Sequence, residues 1–207
     1  MIRRGLGIGV AVGAYGISFG AAATTAGLSV PQACALSLLV FTGASQFALV
    51  GVLGAGGSAV AGVAAALLLG SRNAMYAVVL SRLVPLPVRR RLLAAQLTID
   101  ESAAVGFTAP RSLAGTGFWT AGIAVYVLWN LATLVGAAGA ATVDTRALGL
   151  DAAVGAAFLA LLWPRLHEAW RVALAGAVLA AVAVPLTPAG VPVLVAGLAV
   201  LPSVLRR

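Results

Sequence analysis

From residue 5 to residue 71 the chain carries no charged side chain, and that run decides what it can fold into. A soluble domain shields its core behind a surface in which charged residues make up about one quarter of the composition. Here 9% of 207 residues are charged and 62% are hydrophobic, with a mean hydropathy of +1.09. Such a chain has too little polar surface to cover itself in water. Apolar runs of ~20 residues, the length that crosses a bilayer as helix, recur along it. The sequence therefore specifies an all-α polytopic membrane protein with about six to eight apolar helical segments, some of them broken or re-entrant. It reads as one domain over residues 1–207.

A net charge of +8 and a pI near 11.5 would suit a nucleic-acid binder in a soluble chain. In a membrane chain, arginines mark the cytoplasmic ends of spans, so no nucleic-acid role is expected. The single Cys34 excludes an internal disulfide, and the single His167 has no second histidine with which to share a metal. No cofactor motif is present, and no HExxH or GxSxG signature or Ser/His pair points to an enzyme. The basic start "MIRR" precedes an apolar run longer than the ~7–15 residues of a signal-peptide core, so it reads as a retained first span.

Glycine, proline and arginine punctuate the apolar runs. The segments fall at about residues 5–26, 32–55, 59–83, 92–109, 115–140, 148–163, 169–184 and 189–205. If every segment crossed, Arg89, Arg90 and Arg91 would lie outside, against the positive-inside rule. The rule is satisfied if residues 32–55 enter and leave on one face and residues 92–109 do not fully cross. Both termini, with Arg3/Arg4 and Arg206/Arg207, are then cytoplasmic, and Asp144 lies outside with Arg146 as the lone exception. Full crossing by both segments is the alternative.

A break in residues 32–55 has its own signal. "FTGASQF", residues 41–47, gathers Thr42, Gly43, Ser45 and Gln46 at the middle of an apolar run. Non-helical backbone survives at membrane depth only where protein or water satisfies it, and transporters use such breaks as binding sites. The competing reading is an unbroken helix whose hydroxyls bond back to their own turn.

"LLLGSRNAMYAVVL", residues 67–80, holds a permanent cation at bilayer depth. Insertion of an arginine there costs at least ~2.5–3.5 kcal/mol, so Arg72 faces a cavity or a partner. On one helical turn Arg72, Asn73 and Tyr76 would offer a guanidinium fork, an amide and a phenol. The fork is suited to gripping a carboxylate bidentately. The alternative is snorkelling, or an ion pair with Asp100 or Glu101. Those two acids, in "LTIDES", are the only adjacent pair. They would relay protons, bind a substrate ammonium, or sit at the interface facing water. With Gln96 four residues before Asp100, the two would share one face of a continuous helix. Asn130 reads as glue between helices, the glycines at 5, 9, 13, 16 and 20 as a close-packing stripe, and Asp151 as a helix-dipole cap.

The segments "FTGASQF", "LLLGSRNAMYAVVLS", "LTIDES" and "LGLDAAVGAAFLALL" stand in the order and register that resembles the AzlC-type large subunit of branched-chain amino acid exporters. The resemblance covers nearly the whole chain. It implies a bacterial cytoplasmic-membrane permease that exports valine, leucine, isoleucine or related hydrophobic amino acids, together with a small AzlD-type membrane subunit. Proton motive force would drive it. The family's glutamine falls on Gln46, its arginine on Arg72, and its acidic pair on Asp100 and Glu101. Around the arginine the family often reads Asn-Leu-Arg-His, whereas this chain has "GSRNAMY", which bears on substrate identity. On this reading Ser45, Gln46, Arg72, Asn73 and Tyr76 bind substrate, and Asp100 and Glu101 take the ammonium or the proton. The rival roles are a non-transporting scaffold subunit and a channel for small solutes.

Overall fold

The computed structural model describes residues 1–142 and 153–202; the expectations for Asp144, Arg146, Asp151, Arg206 and Arg207 lie outside them. Helices α1 (Ile2–Gly13) and α2 (Tyr15–Thr25) stack through Ala14 into one span. There follow α3 (Val30–Leu39), α4 (Ala44–Gly54), α5 (Ala59–Leu83), α6 (Val88–Gln96), α7 (Asp100–Thr108) and α8 (Ala114–Ala140). Next are α9 (Ala153–Ala183), kinked at Ala169, and the short α10 (Val191–Gly197). No strand occurs among the described residues. Three helical stretches, Ile2–Thr25, Ala59–Leu83 and Arg111–Ala140, are long and apolar enough to cross a membrane. The chain is an all-helical polytopic membrane protein, as its composition requires.

Local chemistry sets the joints. Ser29 accepts a hydrogen bond from the Gln32 backbone N–H, the Gln32 side chain accepts from the Ser29 N–H at 2.8 Å, and Pro31 occupies the first turn of α3. That reciprocal cap satisfies two of the donors that a helix start leaves unpaired. Ser58 caps α5 by a single bond, accepting from Ala61 N–H at 3.2 Å.

The first span and α8 run parallel, packed over their whole length. The glycine stripe makes this packing. A methyl group at Gly5 would meet Thr120, one at Gly9 would lie 2.6 Å from Ala124 Cβ, and one at Gly13 would lie 2.6 Å from Leu128 Cβ. Further along, Gly20 abuts the Thr133 carbonyl, and Gly136 of α8 abuts the Ile17 carbonyl. Without Cβ atoms the two backbones touch, the arrangement small residues allow between membrane helices. This register also works as a depth gauge. Residues near 5 lie level with 120, those near 13 with 128, and those near 20 with 133–137.

By that gauge, neither broken segment crosses. Helix α3 descends from the end of the first span. Its Ser37 hydroxyl meets Thr133 at 3.1 Å, and Phe41 packs edge-on against Tyr126. Helix α4 climbs back, placing Phe47 against Phe19 and Trp129 and bringing Gly54 to Ala26, where α2 ended. The segment is a re-entrant hairpin. Its arms of 10 and 11 residues rise ~15 Å each, about half of the hydrocarbon thickness.

Helix α5 then crosses antiparallel to α4, with Gly62 beside Leu49 and Gly70 beside Ser45. Helices α6 and α7, 9 residues each, form a second hairpin from the opposite end. Gln96 reaches the tip of the first hairpin, and the chain returns with Ser102 near Gly122 and Gly106 near Phe118. Long helix followed by re-entrant hairpin thus occurs twice in opposite orientations, the inverted repeat of many transporter folds. Up to residue 142, every arginine except Arg72 (Arg3, Arg4, Arg82, Arg89, Arg90, Arg91, Arg111) sits at the end where the second hairpin enters, and none at the other.

Candidate functional site

The two hairpin tips meet at mid-depth, where each reverses direction by the same device. In the first, residues 40–43 leave the helix, and Gly43 adopts φ 64°, ψ −102°, a conformation open to glycine and strained for other residues. Three residues on, the wholly buried Gln46 accepts from the N–H groups of Gly43 (3.1 Å) and Thr42 (3.4 Å). Its amide also donates to the Leu36 carbonyl at 3.4 Å. Gln46 therefore ties the two arms together. In the second tip, residues 97–99 break the helix, and Ser102 accepts from Ile99 N–H at 3.1 Å while its hydroxyl lies against the Leu97 and Ile99 carbonyls. The tips are joined by Gln96, whose amide donates to the Leu38 carbonyl at 2.8 Å; Tyr126 of α8 donates its hydroxyl to the same carbonyl at 3.2 Å and holds the first hairpin to that span.

Both second arms, α4 and α7, begin at this junction, so their unsatisfied first-turn N–H groups and the positive ends of their dipoles converge there. A cavity of about 330 Å³ opens between them. Its polar wall is Arg72, Asp100, Glu101 and the backbone around Gly43; its apolar wall is Val12, Phe41, Phe47, Ile99, Val125 and Trp129. Arg72 Nη2 lies 2.8 Å from Asp100 Oδ2, and the two side chains are 30% and 28% exposed. The ion pair is one-pronged. Arg72 Nε and Asp100 Oδ1, both shielded from solvent, find no hydrogen-bond partner among the described residues, and neither does Trp129 Nε1. The centre therefore keeps a spare donor and a spare acceptor beside an apolar wall.

The seven residues singled out from sequence do not all reach this cavity. Arg72, Asp100 and Glu101 line it, and Gln46 builds the tip behind it. Asn73 and Ser45 line a second cavity of about 500 Å³ on the other side of the tips. Tyr76 turns to Phe107, ring centroids 6.2 Å apart, and packs on the core. The expected pairing of Gln96 with Asp100 on one helical face does not hold, because the break at residues 97–99 separates them. Asn130 donates to Tyr126 O of its own helix at 2.8 Å rather than across helices. Sequence reasoning missed the aromatic wall. Phe41 and Phe47 are the first and last residues of "FTGASQF", but nothing sets Trp129 apart from the other apolar residues of α8.

The architecture, with opposed re-entrant hairpins, a charged centre at mid-depth and an apolar wall, defines a polytopic membrane protein whose polar groups converge where transporters hold their solutes. The chain belongs to the AzlC family: the family model described as AzlC protein matches residues 7–143, which include both hairpins and the cavity. That family is associated with branched-chain amino acid transport rather than with enzymatic activity. No curated protein and no solved structure shows a significant match to the chain.

Proposed function

We propose that the chain is the permease subunit of an exporter of hydrophobic amino acids in the bacterial cytoplasmic membrane, with the 330 Å³ cavity as its substrate site. The one-pronged Arg72–Asp100 pair carries this reading. A zwitterion supplies what the pair lacks. Its carboxylate takes the spare Arg72 Nε–H and the first-turn N–H groups, and its ammonium donates to Asp100 Oδ1, with Glu101 nearby. Valine, leucine or isoleucine then lays its side chain on Phe41, Phe47 and Trp129. Ligand pockets span ~300–1,000 Å³, so this cavity suits a small solute.

Asp100 and Glu101 stand side by side in the cavity wall, next to the Arg72 guanidinium. Adjacent carboxylates at membrane depth are the groups proton-coupled transporters use to carry a proton, which supports coupling to the proton motive force. The arginine-bearing end, holding the N-terminus, is the cytoplasmic one. A small AzlD-type membrane subunit completes the exporter.

The test is efflux of labelled leucine and valine from cells expressing the chain with and without the small subunit. Export above that of empty cells, abolished by Arg72→Ala in protein that still accumulates in the membrane, is the expected result. Undiminished export by that variant removes Arg72 from the substrate site, and no export in any combination refutes the permease reading.

A further inference from the structure

The second cavity, about 500 Å³, poses a problem that the substrate site does not solve. It lies level with the middle of α5, lined by Gly70, Ser71 and Asn73 from that helix and by Ser45, Gln96 and Thr98 from the hairpins. Ser45 is 2% exposed, and its Oγ finds no hydrogen-bond partner among the described residues, nor does the shielded Asn73 Oδ1. The non-helical backbone of the first tip borders the same space. Hydrocarbon cannot satisfy such groups, and irregular backbone at this depth persists only beside protein or water.

Neighbouring cavities show what this space adjoins. A third, about 430 Å³, shares Ala95 and Thr98 with the second and continues past Leu80 and Val84 to Pro85, Leu86 and Arg91, at the arginine-bearing end. On its other side the second cavity shares Phe41 and Thr42 with the substrate site. Those two residues are therefore a partition one residue thick, and Gly43 next to them makes the turn that holds it in place.

We propose that the second and third cavities are one aqueous access route, by which a small polar solute travels from the arginine-bearing end to the Phe41–Thr42 partition. Ser45 and Asn73 exchange hydrogen bonds with the solute's polar groups before it reaches Arg72. The route's end-point rests on the reading of the Arg72–Asp100 cavity as the substrate site; its wetness does not.

The test uses the full chain in sealed membrane vesicles of both orientations, in a Cys34→Ala background, with a charged, membrane-impermeant methanethiosulfonate reagent. Ser71→Cys and Ala95→Cys place thiols on the route. Val127→Cys, level with Val12 on an exposed face of α8, gives the hydrocarbon rate. Only an ionised thiol reacts, and hydrocarbon suppresses ionisation. Both route positions are expected to react at least about tenfold faster than Val127→Cys, and only with reagent on the arginine-bearing side. Variants are compared per amount of protein in the membrane, and the two route positions serve as independent replicates. Labelling no faster than at Val127 at both positions overturns the proposal, because lipid or another chain then fills the space. Faster labelling from the opposite side overturns it as well. Labelling is read without transport, so failure of the efflux assay leaves this result interpretable, and the reverse holds too.

Discussion

Arg72→Lys separates a clamp from a charge. Lysine keeps the cation opposite Asp100 but replaces a planar fork with a point charge. In the structure Arg72 spends Nη2 on Asp100 and keeps Nε, shielded from solvent, without a partner among the described residues, so lysine can satisfy Asp100 or the solute's carboxylate, not both in the same geometry. A hydrogen bond to a charged group contributes ~1.5–3 kcal/mol. With both side chains close to 30% exposed, the lower figure applies. About 1.5 kcal/mol is roughly a tenfold loss of apparent affinity for leucine. The fold should tolerate the change, since a pair this exposed contributes no more than ~1 kcal/mol. The assay is leucine-concentration dependence of transport in proteoliposomes, run beside leucinamide, which lacks the carboxylate. Leucine affinity should fall about tenfold with leucinamide unchanged. Equal losses for both ligands, or none for either, refute the carboxylate clamp. Loss of the protein from the membrane makes Arg72 a structural ion-pair member.

Other perturbations address the frame around that site. Gly43→Ala places a methyl in open space but on a backbone at φ 64°, and should cost ~1–3 kcal/mol, read as a lower melting temperature with the helix content of the native chain. Gly136→Val drives a side chain into the Ile17 carbonyl and should abolish accumulation of folded protein, whereas Gly139→Val, with nothing within 4 Å, should be tolerated. Glu101→Gln should flatten the pH dependence of efflux if that carboxylate carries the coupling proton, and unaltered dependence in it and in Asp100→Asn excludes both. A thiol at Ala55, exposed at the end away from the arginines, should react with impermeant reagent only from outside the cell; Gly57 is unsuitable, as its Cβ would lie 2.6 Å from Val52.

Much of this architecture was legible because membrane chains write their punctuation plainly. Pro31, Gly43, residues 54–58 and the prolines at 85 and 87 fall at or beside helix ends, and the position of the arginine triplet argued for two non-crossing segments before any contact was known. The glycine stripe stated that the first span packs closely, though not on which helix. Arg72 and Asp100 could be named as candidate partners because so few charges exist to choose from. Helical periodicity failed where the helix stops. Gln96 and Asp100 are four apart in a segment broken between them, so the face they were expected to share does not exist. Adjacent residues also proved a poor guide. Arg72 and Asn73 point into different cavities, because successive side chains on a helix diverge by about 100°. The aromatic wall stayed hidden, since in a chain where most residues are apolar another Phe or Trp carries no contrast.

The parallel register of the first span and α8 also dictates an order of manufacture. The first hairpin is synthesised early, yet the groups that quiet its polar tip arrive late. Thr133 lies 96 residues beyond Ser37, Tyr126 lies 88 beyond Leu38, and Gln96 lies 58 beyond that same carbonyl. Until α8 emerges, the hairpin lacks its contacts with Thr133 and Tyr126, and unsatisfied polar groups are costly in hydrocarbon. The hairpin therefore reaches its full set of hydrogen bonds only when α8 closes against the glycines of α1 and α2. That closure joins two parallel helices across a long stretch of chain, a non-local contact of the kind that slows folding.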